Sequence, residues 1–251
     1  MKIQYLVPGP MSKGPMGKKE VLRRQALLNQ WAFPGTEVTV VDVPEGPASI
    51  ESAYEELMAV PATLKGIQEA ERDGFDAVII GCFGDPGLEA ARELVEIPVI
   101  GPGESSLLLA AGLGHHFSVI TVLDSLVAPQ EQQAFRAGVL AKLASVRVAE
   151  IPVLELMNDI DASRRRVEAV GAEAVERDRA DVLLLGCMTM SFLGISDEVS
   201  NRLGVPVINA GRAALKAAEG LVAQGLTHSK KAFPTPPKLR KKQSQPEEVL
   251  A

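Results

Sequence analysis

The chain has 251 residues, 46% of them hydrophobic, which is enough apolar material for one large domain or two half-sized lobes. Its 32 acidic and 26 basic residues give a formal charge of −6, so it repels phosphate backbones and a nucleic-acid partner is not expected. No apolar run reaches about 18 residues and two cysteines cannot build a disulfide framework, which argues against a membrane span and a disulfide-rich scaffold.

The first residues enter a strand-like run at once, with no leader pattern, and the expected setting is cytoplasmic with reduced thiols. In chain order the short apolar runs are Ile3–Val7, Glu37–Val43, Ala77–Ile80, Val99–Ile100, Phe117–Thr121, Val146–Ile151, Val182–Leu185 and Val205–Asn209. Several lack polar alternation, as strands do when helices cover both faces of their sheet. Amphipathic stretches between them predict helices over Lys18–Trp31, Ser49–Glu71, Gln130–Leu143, Ala162–Arg177 and Arg212–Gln224. This alternation predicts an α/β protein with parallel sheets and crossover helices, whose ligands bind beyond the carboxyl ends of the strands. At that edge the connection Pro8-Gly9-Pro10-Met11-Ser12-Lys13-Gly14-Pro15 either wraps a substrate or is an ordinary Gly/Pro turn. Thr121, ending its strand at the same edge, is a candidate hydrogen-bond donor to substrate.

An internal repeat carries the most information. RDGFDAVIIGC spans Arg72–Cys82 and RDRADVLLLGC spans Arg177–Cys187. After a small change of length the match resumes, Pro98-Val99-Ile100 with Pro206-Val207-Ile208 and Gly103 with Gly211. Buried strands resemble one another, but a Gly-Cys pair at the same strand end twice is harder to obtain by chance. The expectation is two pseudo-symmetric parallel-sheet α/β lobes, with cysteine blocks near 72–121 and 177–225 and an active site in the cleft between them. These lobes make one domain over residues 1–228. Ser229–Ala251, with four prolines, a Lys238-Leu239-Arg240-Lys241-Lys242 group and few apolar residues, is expected to be a flexible, solvated tail.

Cys82 and Cys187 are the candidate catalytic residues. Cys82 sits in Gly81-Cys82-Phe83-Gly84-Asp85-Pro86-Gly87, where Asp85 is a candidate N-cap of a following helix whose positive end would lower the thiol pKa. Cys187 sits in Gly186-Cys187-Met188-Thr189 at the equivalent strand end. Either cysteine alone is compatible with a structural role; the repeat couples them. Two thiols facing each other suit inversion of a carbon acid, one removing a proton as thiolate while the other returns one as thiol. With about 3–3.5 Å from each sulfur to the carbon, the sulfurs would stand roughly 6–7 Å apart, too far for a disulfide. Such chemistry calls for no metal and no cofactor, and His115, His116 and His228 lack ligand spacing with the cysteines.

At these residues the chain resembles the aspartate/glutamate/hydantoin racemase superfamily, closest to its hydantoin racemase branch. Gly81–Thr121 is similar to that branch's first cysteine block and Val182–Met190 to its second. The resemblance implies a cofactor-independent racemase or epimerase of a small carbonyl compound, a hydantoin or an amino-acid derivative, with Cys82 and Cys187 as acid and base. It implies that Phe83, Gly84, Thr121, Met188 and Thr189 line the substrate pocket, and the position of their connection after the first strand adds Pro8 and Gly9 as candidates beside them. Cys-Phe-Gly and Cys-Met-Thr stand where the amino-acid racemases carry Cys-Asn-Thr and Cys-Thr-His, which argues against aspartate or glutamate. Val7-Pro8-Gly9-Pro10 stands where hydantoin racemases carry an Asn-Pro-Asn turn, which puts hydantoin itself in question. The rivals are another isomerase or a decarboxylase of the superfamily, and a non-catalytic binding or maturation factor on the same scaffold. The expected partners are a small-molecule substrate and further copies of the chain, with no membrane.

Overall fold

The apolar runs become eight strands in the computed structural model, which describes residues 1–239. They are β1 (Lys2–Val7), β2 (Glu37–Asp42), β3 (Ala77–Ile80), β4 (Val99–Ile100), β5 (Phe117–Thr121), β6 (Leu143–Val148), β7 (Val182–Leu185) and β8 (Val207–Ile208). All neighbours pair in parallel, in two four-stranded sheets ordered β2-β1-β3-β4 and β6-β5-β7-β8. The two orders are one topology written twice, as the repeat predicts. The helices are α1 (Gly17–Trp31), α2 (Ala53–Arg72), α3 (Leu88–Leu94), α4 (Pro102–Leu113), α5 (Val127–Arg136), α6 (Ile160–Asp178), α7 (Met188–Ser191), α8 (Ser196–Leu203) and α9 (Ala210–Ala223). Among the described residues no helix is long and apolar enough to cross a membrane.

Strand side chains alternate between faces, and here both faces are dry. Ile3, Tyr5, Ala77 and Ile79 enter a central core, while Leu6, Val78 and Ile80 enter an outer one beneath α2 and α3. In the second sheet Phe117, Val119, Val182 and Leu184 point into the same central core, and Ile120, Leu183 and Leu185 into a second outer one. Each buried Leu, Ile or Val contributes roughly 1.5–3 kcal/mol relative to exposure. The central core is shared because the last helix of each half crosses over: α4 packs on β7, α9 packs on β3, and the two helices pack on each other. The cleft lies above this common floor.

Three of the departures from the expected boundaries bear on the site and its sheet. The helix expected over Gln130–Leu143 ends at Arg136, because Gly138 turns left-handed (φ 73°) and the chain re-enters the sheet at Leu143. The strand expected at Val146–Ile151 therefore starts earlier; apolar Val139 and Leu143 mimic helical spacing across the turn. The helix expected from Ser49 begins at Ala53, with the Ser52 side chain accepting from Glu55 N as N-cap. Ser49 and Ile50 are thereby left free to line the cleft.

The body also continues past residue 228. Lys230 Nζ donates to the carbonyls of Arg92 (2.9 Å) and Val95 (2.6 Å), placing a cation on the C-terminal end of α3. The Arg92 guanidinium covers the Phe233 ring at 5.5 Å. The expected solvated tail thus does not begin at Ser229: two isolated anchors, with no periodicity to announce them, hold its first residues on the first lobe. The rest of that expected tail, residues 240–251, lies outside the described residues.

His228 sits at the root of this docked segment, its Nε2 3.0 Å from Val99 N. Burial, with the Arg92 charge beside it, lowers its pKa from 6.5 to about 4. The folded state therefore holds the neutral ring, and the unfolded chain binds the extra proton between those two values. The contribution is complete above about pH 6.5 and declines as the pH falls toward 4. The His228→Ala variant should melt below wild type at about pH 7.5, with the gap narrowing at about pH 4.5. Thermal melts with an equal gap at both pH values would contradict this.

Candidate active site

The last rung of each sheet decides where the thiols go. Gly81 N donates to Leu6 O (2.7 Å), and at the matching position Gly186 N donates to Ile120 O (2.9 Å). A β-carbon on Gly81 would stand 2.8 Å from that carbonyl oxygen and from the Tyr5 ring; one on Gly186 would stand 2.5 Å from Val119 Cγ1. Only glycine closes the ladder here, and the next residue, Cys82 or Cys187, leaves the sheet. Both cysteines are free thiols, Cys82 partly exposed and Cys187 buried, and both line one cleft between the lobes with about 100 Å³ of space. That volume suits a small molecule.

Of the residues predicted to surround substrate, Pro8, Gly9, Phe83, Gly84, Met188 and Thr189 line this cleft. Thr121 does not. It is fully buried, and its Oγ1 accepts from Gln130 Nε2 at 2.8 Å. β5 ends a layer below the cleft, so the hydroxyl supports Gln130, which reaches the wall in its place. Gln130 also donates to Gly186 O (3.0 Å), and Gln133, one turn on, donates to Phe83 O (2.7 Å). One helix, α5, thus holds both cysteine-bearing turns. Polar residues three apart on the buried side of a helix were the signal available for these two glutamines.

The loop before α2 closes the cleft from the first lobe. Gly9 lets it approach, since a β-carbon there would stand 2.3 Å from Pro47 O. Glu51 then fastens it to the second lobe: its carboxylate accepts from Val153 N (2.6 Å), and its carbonyl accepts from Ser125 Oγ (2.6 Å).

The surroundings of the two thiols are unequal. Burial pushes Cys82 up; the Gly84 N–H opposes this, while Cys187, Asp85 and Glu56 push it further up. Asp85 does not cap the helix after Cys82. Its backbone is left-handed (φ 55°), α3 starts only at Leu88, and its carboxylate caps α4 instead, accepting from Gly103 N (2.9 Å) and Glu104 N (2.7 Å). Burial raises Asp85 itself to about 7, against the backbone donors of α4.

Burial pushes Cys187 up too, opposed by the N–H groups of Met190 and Thr189, the Arg24 charge and the Thr189 hydroxyl. Arg24 is only 1% exposed. Its Nε donates to Glu20 Oε1 (2.8 Å) and its Nη2 to Thr189 Oγ1 (3.1 Å), which leaves the threonine hydrogen for the sulfur. Glu20 would be raised by burial, but bonds from Arg23 and Arg24 hold it below its usual value. Sequence reasoning passed over this pair, whose i, i+4 spacing on α1 looks like a surface ion pair. Among the described residues no three His, Cys, Asp or Glu side chains cluster to hold a metal ion.

A Thr189→Val variant, which keeps the shape and loses the hydroxyl, should shift the pH profile of Cys187 alkylation upward by on the order of one unit. Thr189→Ser should keep the wild-type profile. Mass-resolved alkylation across pH checks this, and an unshifted valine variant would contradict it.

The chain is similar to known proteins. The family model for Asp/Glu/Hydantoin racemase matches residues 21–218. A hydantoin racemase from Pseudomonas sp. (strain NS671) is 39% identical over 195 residues, covering 78% of each chain. One from Rhizobium meliloti is 38% identical, covering 78% of this chain and 80% of its own. The structure of an allantoin racemase from Klebsiella pneumoniae superposes with a TM-score of 0.86 at 31% identity, covering 94% of both chains. A glutamate racemase from Francisella tularensis, 15% identical with a TM-score of 0.61, shares the fold. The repeated Gly-Cys strand ends, the doubled sheet topology and these matches lead to one conclusion: the chain belongs to the Asp/Glu/Hydantoin racemase family.

Proposed function

We propose that the protein is a cofactor-independent racemase or epimerase in which Cys82 and Cys187 exchange protons with opposite faces of one carbon beside a carbonyl. The observation that carries this reading is the meeting of both repeat cysteines on the wall of a single small cleft. A thiolate removes the proton from one face, the carbonyl takes the charge as an enolate, and the opposite thiol protonates the other face. Backbone N–H groups of the two cysteine turns other than those of Gly84, Thr189 and Met190, which face the sulfurs, would serve the developing oxyanion. The resting roles follow from the surroundings. Cys187, with Arg24 and Thr189 behind it, is the better thiolate, and Cys82, beside Glu56 and Asp85, is the better-held thiol. The reverse reaction swaps them.

A neutral cyclic amide of the hydantoin kind fits better than an acidic amino acid. The wall is largely apolar, formed by Val7, Met11, Ile50, Val122 and Leu126 among others. Among the described residues that line the wall, the one guanidinium, Arg24, is already engaged by Glu20 and Thr189. A carboxylate substrate would meet no unengaged cation on that wall. The names of the curated relatives point the same way.

The test is incubation of single enantiomers of 5-substituted hydantoins and of amino acids in deuterium oxide. The expected result is loss of optical activity of the hydantoin, faster than without enzyme, with one deuterium at C5 and no other change of mass. Exchange confined to amino acids would contradict the substrate assignment, and release of carbon dioxide from a malonate in place of inversion would contradict the racemase reading.

A further inference from the structure

Glu56 is the second charged side chain on the cleft wall, and the mechanism above gives it no step. It stands in the first turn of α2 and is half-buried. Glu51 and Glu55, its neighbours on the same segment, are tied into hydrogen bonds with backbone N–H groups. The Glu56 carboxylate has no hydrogen bond or ion pair among the described residues, although the Arg136 charge lies in its surroundings. Leaving a half-buried carboxylate without a donor carries a desolvation cost. Gly84 explains what the carboxylate faces. A β-carbon placed there would lie 3.8 Å from Cys82 Sγ and 3.8 Å from Glu56 Oε2. The missing side chain leaves a gap with the thiol on one border and the carboxylate on the other, so one small group placed in it touches both.

We propose that Glu56 accepts a hydrogen bond from a substrate ring N–H next to the reacting carbon, and that it selects neutral cyclic amides against substrates bearing a carboxylate. The assignment rests on the racemase reading above and adds a specificity determinant to it. In a five-membered cyclic diamide the nitrogen adjoins the carbon that gives up its proton. A ring whose carbon meets Cys82 across the Gly84 gap therefore brings an N–H to the border that Glu56 forms. A hydrogen bond to an ionised acceptor is about twice as strong as a neutral one. A carboxylate placed in the same gap meets a like charge, which disfavours ionisation of both.

The test separates binding from turnover. The probe is 5,5-dimethylhydantoin, which has no proton at C5 and cannot be inverted, together with its N1-methyl and N3-methyl derivatives and the anionic hydantoin-5-acetate. Affinities are measured by calorimetry on wild type, Glu56→Ala and Glu56→Gln, each first shown by melting to be folded. In wild type, the N1-methyl derivative, blocked at the nitrogen next to C5, should bind about 10- to 100-fold more weakly than the parent. In Glu56→Ala the parent should weaken by a similar factor, and methylation should cost nothing further. Glu56→Gln, which keeps an acceptor oxygen and loses the charge, should hold the parent within about 10-fold and bind hydantoin-5-acetate more tightly than wild type does. An equal methylation penalty with and without the carboxylate, or no binding of the parent to wild type, would overturn the assignment. Racemisation is scored separately on a 5-monosubstituted hydantoin. A wild type that shows the Glu56-dependent binding pattern yet inverts no hydantoin would refute the racemase reading while supporting the role of Glu56.

Discussion

The site depends on a steric constraint at two strand ends. Where β3 and β7 finish, the neighbouring backbone and side chains come too close for any β-carbon, so Gly81 and Gly186 close their ladders and pass the chain out of the sheet. The residue that follows is the first with freedom to leave, and in both lobes it is the cysteine. Parallel order puts both ends on the carboxyl edge of their sheets. The crossover of α4 and α9 then fixes one sheet against the other. The floor of the cleft is thus a product of packing in the central core, and backbone geometry brings both thiols to its wall.

Symmetry stops at the backbone. α5 supports both cysteine turns through Gln130 and Gln133, yet the charges around the sulfurs differ. On one side a buried arginine, anchored by Glu20, acts through Thr189. On the other, Asp85 and Glu56 raise the thiol. The proposed two-base reaction needs one group ionised and one protonated at the start, and unequal surroundings would favour that difference. Two identical half-sites would leave the proton inventory undecided.

Much of this was legible in the sequence because the strands are buried on both faces. Runs such as Ala77–Ile80 and Val182–Leu185 carry no polar residue and cannot be mistaken for exposed strands. The repeated Gly-Cys pair pointed to the cleft because the glycine is required by close approach. What escaped reading acts at long range or against local pattern. Thr121 looked like a donor to substrate because its strand ends at the right edge, but depth within the sheet is not written in one strand. The Glu51 latch joins residues about a hundred positions apart, with no motif at either end. Gly138 ends a helix whose apolar spacing continues past it, and Lys230 finds a helix C-terminus that nothing in its own segment foretells.

The central claim is that each thiol serves one face of one carbon, and the most direct measurement follows the hydrogen in the single variants Cys82→Ala and Cys187→Ala. Each enantiomer of a 5-substituted hydantoin is incubated with each variant in deuterium oxide, and deuterium at C5 is counted against the unreacted hand. Neither variant should invert the substrate, because protonation from the opposite face has lost its acid. Each should still exchange the hydrogen of one enantiomer, and the two variants should choose opposite enantiomers. A Cys82→Ala or Cys187→Ala protein that interconverts the enantiomers at close to the wild-type rate would contradict the account, since the missing sulfur would then have no part in the proton transfer.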